Sequence, residues 1–431
     1  MYPMQRLAST LKDLEKQLEL CVRCGMCQAY CPVYAETGRE SDVARGKLAL
    51  LEGLIGKMFK DPHGVHERLE RCLLCGSCAA NCPSGVKALE IFLKARAIIA
   101  EYRGLGPLKK VLLRGMLAHP ELFNRLLEWG ARLQGLVLKP ADELPGTSCP
   151  RFLSPLTSRH VMPLAPVPLH RMLGSLNTPS GASGLKVALF PGCLIDKVFP
   201  QIGHAMLKSL KHHGVGVFLP GQPACCGFPA LGAGDGRTLK ALISYNLQQY
   251  AAQSFDYLVT GCATCAAALK QVWPIGARDF SASEQEQMVA LGEKTLDISQ
   301  FLVDKLAVVQ PGASHGNGRI GLTYHDSCHL KKSLGVAGQP RVLLRNNSEY
   351  RLEEMAEADR CCGCGGSFNV EHYELSLAIG KRKREDIVHT GCAVVATGCP
   401  ACMLHISDLL AQAGDRIQVK HFIEVYADSL S

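Results

Sequence analysis

Two cysteine stretches constrain this chain more than anything else in it: CVRCGMCQAYCP at Cys21–Pro32 and CLLCGSCAANCP at Cys72–Pro83. Each reads C-x2-C-x2-C-x3-C-P, the spacing that wraps a cubane [4Fe–4S] cluster. Three thiolates, each two residues from the next, converge on three irons of one cube. The fourth, placed before proline, points away and ligates the cluster of the other run. The predicted sets are therefore Cys21, Cys24, Cys27 with Cys82, and Cys72, Cys75, Cys78 with Cys31. Gly25 and Gly76 let the backbone pass close to the sulfides. A structural zinc ion needs only four ligands and leaves the third C-x2-C step and the proline unexplained. A disulfide framework suits a short secreted chain. This one has 431 residues and opens on a charged, amphipathic stretch, Met1–Leu20, in place of a secretion signal.

The length predicts about three domains. The chain holds 21 cysteines, so a cofactor must account for most of them. No run of about 18 apolar residues offers a membrane span. Clusters without a signal predict the cytoplasm. The formal charge of +8 overstates the basicity. A 2+ cubane held by four thiolates carries about −2, so two of them leave roughly +4. That mild excess predicts no nucleic-acid partner. The one basic cluster, Lys381–Arg384, falls in a helical stretch, 371–389, and reads as a solvated helix face without interleaved aromatics.

The predicted fold class is α/β with an all-helical N-terminal ferredoxin module and a C-terminal duplication of α/β units. Residues 1–105 form the cluster module, with helices expected over 9–20, 41–52, 66–71 and 88–102. A helical insert of that length between the cysteine runs favours an all-helical module over the small β-rich ferredoxin. Residues 106–184 begin with two amphipathic helices carrying Lys109, Lys110, Arg114, Arg125 and Arg132. They either cover the core or form a docking face for a partner subunit or an anionic membrane. A Pro-, Ser- and Gly-rich linker with little regular structure follows from 140 to 184, with Cys149 alone in it as a free thiol.

Residues 185–310 and 311–431 are two copies of one unit. Strands at 186–190 and 319–324 run into Cys193 and Cys328. The pairs Cys225-Cys226 and Cys361-Cys362, each followed by glycine, come next. Strands at 255–260 and 393–397 then run into Cys262-x2-Cys265 and Cys399-x2-Cys402. The offsets are 135, 136 and 137 residues (328 − 193, 361 − 225, 399 − 262). Strands alternating with helices at 201–213 and 237–252 predict mainly parallel sheets, the two units facing each other across a pseudo-twofold axis. The cysteines follow strand ends, where open α/β sheets place their ligands. Adjacent cysteines crowd a single ion, and five thiolates per unit exceed one tetrahedral zinc. A larger iron–sulfur assembly accepts them. Buried structural cysteines, a zinc-stabilised scaffold and thiol–disulfide chemistry remain the alternatives. Cys364 and Cys392 have no counterparts in the first copy; they are spare ligands or core thiols. The glycines Gly232, Gly234 and Gly236 lack nucleotide-loop spacing and read as a loop before a helix.

Taken together, CVRCGMCQAYCPVY, RCLLCGSCAANCPSGV, the basic helical segment, the linker and the two CCG units resemble the iron–sulfur subunit of bacterial glycolate oxidase and its D-lactate-oxidising relatives, over nearly the whole chain. The resemblance implies a complex with an FAD-binding oxidase subunit that takes a hydride from a 2-hydroxy acid. This chain then passes electrons toward quinone or another acceptor, with peripheral contact to the inner face of the cytoplasmic membrane as a further expectation. FAD would lie only on the partner, and the chain alone would oxidise no substrate. Related CCG units of heterodisulfide reductase bind noncubane [4Fe–4S] clusters through five cysteines. That implies Cys193, Cys225, Cys226, Cys262, Cys265 and Cys328, Cys361, Cys362, Cys399, Cys402 here, with one or two further clusters beside the two cubanes. A heterodisulfide-reductase-like catalytic chain and the small subunit of anaerobic glycerol-3-phosphate dehydrogenase are similar alternatives.

Overall fold

A computed structural model describes residues 3–140, 147–150, 159–309 and 320–430. The N-terminal part is helical, as its periodicity predicts. Helices Pro3–Leu11, Ala44–Ile55, His63–Glu70 and Ala88–Arg103 surround the two cysteine runs. Leu7, Leu11, Leu48, Leu51, Ile91 and Ala95 meet in one buried core. The helix expected over 9–20 is instead three pieces: Pro3–Leu11, a 3-10 turn at Lys12–Leu14, and Glu15–Leu18.

Two helical segments follow, Pro107–Leu117 and Pro120–Val137. The second buries Asn124 but turns Leu122, Leu126, Trp129, Leu133 and Leu136 to solvent. These five are spaced four, three, four and three residues apart, so they run as one line along the helix. Trp129 is 67% exposed. Strands β1 (Leu138–Pro140) and β2 (Ser148–Pro150) then pair antiparallel.

The described part of the Pro-rich segment has little regular structure, as expected, holding only short pieces; Pro145 and Pro155 lie outside the described residues. Cys149 sits on β2 beside His160, Sγ to Nδ1 3.7 Å, so it is not alone. Helix Leu169–Leu173 is pinned by the buried His170, whose ring meets Asp196 and Glu128 at 3.0 Å. β3 (Leu176–Asn177) adds an antiparallel edge to the first sheet.

That sheet contains β4 (Lys186–Leu189), β5 (Gly216–Leu219), β6 (Tyr257–Thr260) and β7 (Thr295–Asp297), in the order β3-β5-β4-β6-β7. The second contains β8 (Ile320–His325), β9 (Tyr350–Glu353), β10 (Val394–Thr397) and β11 (Gln418–His421), in the order β9-β8-β10-β11. Apart from β3 both are parallel and share one order: second, first, third, fourth strand. Runs such as Val187-Ala188-Leu189 and Val394-Val395-Ala396 are buried throughout, as strands covered on both faces require. The strand order reverses direction between β4 and β6, and between β8 and β10; at such a switch point the loops splay apart and leave a crevice. The expected boundary at 310–311 falls outside the described residues.

The copies pack reciprocally. Helix Phe422–Asp428, which ends the second unit, lies on helix Pro200–His212 of the first, where Tyr426 meets His213 at 2.8 Å. Ala263 of the first unit donates its N–H to Gly398 of the second. The helical module caps the strand ends of both units. At its seam Arg96 is buried and its guanidinium fork donates to the carbonyls of Leu69, Glu70, Cys72 and Gly232.

The basic cluster 381–384 is a solvated face only in part: Lys381 and Arg382 are exposed. Lys383 is fully buried and donates to Asp386 and to the carbonyl of Glu357, while Arg382 pairs with Glu36 and Arg384 with Asp415. Arg382 and Arg384 meet partners far away in the chain that linear spacing does not reveal, whereas Asp386 lies three residues from Lys383.

Arg96→Leu should lower the unfolding free energy in urea titration by about 1–3 kcal/mol for each carbonyl left without a donor. Arg96→Lys should recover only part, because an ammonium cannot serve the fork.

Candidate iron–sulfur centres

The two ferredoxin runs fold alike, residue for residue. Arg23 and Leu74, neither of them glycine, both have φ of 54°; Gly25 (φ 89°) and Gly76 (φ 73°) follow the second cysteine of each run. Two left-handed residues so close together curl the backbone inward and bring the thiols to one side. Cys21, Cys24, Cys27 and Cys82 line one small cavity; Cys31, Cys72, Cys75 and Cys78 line another. These are the expected sets, with the fourth cysteine of each run crossing to the other's cavity. Cys78 lines both, so the two sites share a wall.

Cationic groups flank these thiols. Arg45 donates to the carbonyl of Arg23 at 3.2 Å and lines the first cavity. Lys47 is buried beside the second, donating to the Asp42 carbonyl. Burial pulls Lys47 down, against the opposing pull of Cys72 and Cys31. Burial pushes the Cys31 thiol up to about 12 and also raises Cys78. Thiols held so high are poor free nucleophiles; a cation must displace their protons, which is what iron does on binding.

The second cysteine system is deeper. A cavity of about 460 Å³ between the α/β units is lined by Cys193, Cys225, Cys226, Cys262, Cys265, Cys328, Cys361, Cys362, Cys399 and Cys402. Within the first unit, thiol contacts link Cys193 to Cys225, Cys225 to Cys226, Cys226 to Cys265 and Cys265 to Cys262. The second unit repeats them: Cys328 to Cys361, Cys361 to Cys362, Cys362 to Cys402 and Cys402 to Cys399. Cys262 and Cys399, equivalent positions in the two copies, touch each other across the interface. That self-pairing is the mark of a local twofold relation.

Identical backbone devices hold the two CCG turns. The N–H of Gly227 points to Cys225 Sγ, and that of Gly363 to Cys361 Sγ, both at 3.5 Å. Gly363 has φ of 92°, and a Cβ there would lie 2.6 Å from the Ser376 carbonyl, so only glycine fits. The fully buried Trp273 donates to the Cys226 carbonyl at 2.8 Å.

Several residues at these sites carry no signal in the cysteine spacing. Cys75 belongs to the ferredoxin set, yet its thiol also contacts Cys328 and Cys361. Leu73, Leu74 and Cys75 form a wall common to the second ferredoxin cavity and the central one. Lys332 sits at this junction and donates to Ser77, whose hydroxyl lies 3.4 Å from Cys75 Sγ. Burial lowers Lys332, but the thiols of Cys328, Cys75 and Cys361 outweigh it and leave the ammonium raised. His329 bridges the Leu74 carbonyl and Thr264, and so ties all three parts together. His325 lies within 4.8 Å of Cys362 and Cys402. Of the cysteines without counterparts, Cys364 lines the central cavity; Cys392 instead lies against Gly321 and the Thr390 carbonyl, as a core thiol. Cys149 is not among the cavity-lining residues.

The donor set fits iron–sulfur chemistry: thiols converge in fours at the ferredoxin cavities and in linked fives at the central one, with buried cations to offset thiolate charge. A family model described as a 4Fe-4S dicluster domain matches residues 17–86, and one described as a cysteine-rich domain matches 187–270 and 322–407. The chain is 29% identical to the probable glycolate oxidase iron-sulfur subunit of Bacillus subtilis over 94% of its own length and 92% of the relative's. It is 35% identical to lactate utilization protein A of Bacillus pumilus over 56% of this chain and 98% of that one. The chain belongs to this family of iron–sulfur subunits. The family also reaches further: a subunit of the fumarate reductase (CoM/CoB) of Methanothermobacter marburgensis is 28% identical over 95% of this chain and 72% of its own. A cluster bound here would supply one-electron chemistry, and the chain would supply the thiolate ligands and the charge around it.

The double change Cys361→Ser with Cys362→Ser should remove iron and sulfide from the second α/β unit alone, leaving the cubane spectra intact. Anaerobic iron and sulfide quantitation checks this. Unaltered content would show that the second unit binds no cluster.

Proposed function

We propose that this chain is the electron-transfer subunit of an FAD-dependent 2-hydroxy-acid dehydrogenase complex acting on glycolate or D-lactate. The flavin resides on a partner subunit, and electrons leave toward quinone or another acceptor. The observation that carries the reading is the unbroken row of thiol-lined cavities. It starts at the exposed Cys24, passes the wall at Cys78, crosses the junction at Cys75, and ends at Cys193 in the far unit. Such a row relays single electrons and offers no group to accept a hydride.

The surroundings of both ends of the row support the reading. Around Cys24 the large side chains of Leu20, Val22, Met26 and Tyr30 face solvent, Val22 at 70%. An apolar rim around the outermost cluster site is where a flavoprotein would dock. At the other end, Asn124 hydrogen-bonds Gln222 at 2.8 Å, just ahead of Cys225. It does so from the inner face of the helix whose outer face carries Trp129 and the leucine line. Arg125 and Arg132 flank that line. A Leu/Trp ridge edged by arginine is the composition of a helix lying in an anionic membrane surface. Among the described residues no helix is long and apolar enough to cross a membrane. Contact with a bilayer that holds the quinone would therefore be peripheral.

A second reading is favoured by the similarity to the fumarate reductase (CoM/CoB) subunit and by the size of the central cavity. In it the CCG sites themselves carry out thiol–disulfide chemistry on a substrate bound between the units.

Cys24→Ser or Cys75→Ser should abolish reduction of the acceptor by the reconstituted complex while substrate still bleaches the partner's flavin. Stopped-flow absorbance separates the two steps, and acceptor reduction that survives cluster loss would sink the relay.

The membrane contact has its own reporter. The chain has two tryptophans, and Trp273 is buried, so Trp129 alone should shift to the blue when vesicles containing phosphatidylglycerol are added. Leu133→Glu should remove the shift, and 0.5 M salt should weaken it, since the screening length falls to about 4 Å.

A further inference from the structure

His325 ends β8 in a position that its own hydrogen bonding does not explain. It is wholly buried, and neither Nδ1 nor Nε2 has an oxygen or nitrogen partner; its ring meets the thiol of Cys362 instead. The hydroxyls near it in sequence and across the sheet, Ser327 and Thr397, are unpartnered as well and supply nothing. An imidazole stripped of water and left with only a thiol, a weak hydrogen-bonding group, is costly to bury. The side chains it faces are thiols: a ring nitrogen, Cys362 Sγ and Cys402 Sγ all lie within 4.8 Å of one another. A tetrahedral metal with bonds of about 2.0–2.3 Å holds its donors roughly 3.5–4 Å apart. The trio therefore needs only a small inward movement to share a centre.

The internal repeat sharpens the point. The offset that relates Cys193 to Cys328 relates position 190 to position 325 (328 − 193 = 325 − 190), and residue 190 is phenylalanine. Phe190 is buried against Tyr250, as a core side chain should be, with ring centroids 5.8 Å apart. The first unit thus has carbon where the second has an imidazole, although the cysteine contacts of the two are the same.

We propose that His325 is a nitrogen ligand of the iron–sulfur centre in the second unit, beside Cys362 and Cys402. The proposal rests on the reading of the second cysteine set as a cluster site. It makes the two α/β sites unequal. The second unit keeps all five of its cysteines, so the imidazole adds a neutral donor without removing thiolate charge. Exchanging that neutral donor for a thiolate would lower the reduction potential of the centre.

The test uses the full chain, prepared anaerobically with natural-abundance or 15N-labelled histidine and examined by pulsed EPR of the reduced centres. The expected result is a strongly coupled histidine nitrogen that changes with the label and disappears in His325→Cys. Iron content should be retained in that variant, because sulfur replaces nitrogen as the donor. The midpoint potential of one centre should fall by at least a tenfold change in its reduction equilibrium, ~59 mV for one electron. His325→Phe, which copies the first unit, should lose the same coupling. No histidine coupling in the native chain, or one unchanged in both variants, overturns the proposal while leaving the cluster reading intact. Zinc in place of iron in the second unit overturns it too. If instead Cys361→Ser with Cys362→Ser leaves iron untouched, the cluster reading itself has failed, and the two failures are distinct.

Discussion

Buried sulfur is the constraint on which this architecture turns. A thiolate in a low-dielectric interior is expensive, and a protonated thiol is a poor ligand. The fold gathers its cysteines where a metal centre can supply the missing positive charge, and it places scarce buried cations beside them for the same task. Lys47 and Arg96 are buried and Lys332 half-buried beside the thiol-lined cavities, where a lone lysine or arginine would ordinarily be rejected. Their desolvation is offset by carbonyls and sulfur together. The ferredoxin module and the α/β units are accordingly held to each other through polar groups at the cavities as well as by apolar packing. Arg96 reaches the Gly232 carbonyl, Lys332 reaches Ser77, and His329 reaches Leu74.

That placement explains which parts of the molecule the sequence exposes and which it conceals. The ferredoxin cavities are legible because their geometry is local. Two left-handed residues and fixed spacing decide where three thiols point, and the proline-linked fourth follows. The sheets are legible because parallel strands buried on both faces read as unbroken apolar runs. The short outer strands β5, β7, β9 and β11 carry less pattern and emerge only from the repeat of order. What stays hidden depends on partners far away in the chain. Lys383 looks like a surface charge until the Glu357 carbonyl, 26 residues away, closes on it. Cys75 looks like an ordinary cubane ligand until β8 and β9 deliver Cys328 and Cys361 to its other side. His325 carries no motif at all; only a tertiary contact with sulfur distinguishes it from a core histidine.

Helix Pro120–Val137 shows the same limit from the opposite direction. Its periodicity marks one apolar face, and the ordinary inference buries that face. The structure buries Asn124 and the inner turns instead, and leaves the larger side chains outward. Hydrophobic periodicity identifies a face that avoids water; it does not say whether the protein or another apolar phase will cover it.

The duplication also bears on the direction of flow. Two copies related by a local twofold could serve a symmetric purpose, each site acting alike. The contacts argue otherwise. Among the described residues, only the second unit meets the ferredoxin module through sulfur, by way of Cys75 with Cys328 and Cys361. The first unit meets the second through Cys262 and Cys399, and it meets the exposed leucine-bearing helix through Gln222. An electron moving by shortest contacts therefore visits the copies in the reverse of their order in the chain, second before first. The internal repeat supplies two matching sets of five cysteines around one cavity. The helical module on one side and the outward-facing helix on the other give them unequal neighbours, and unequal neighbours are enough to turn a symmetric pair into a sequence.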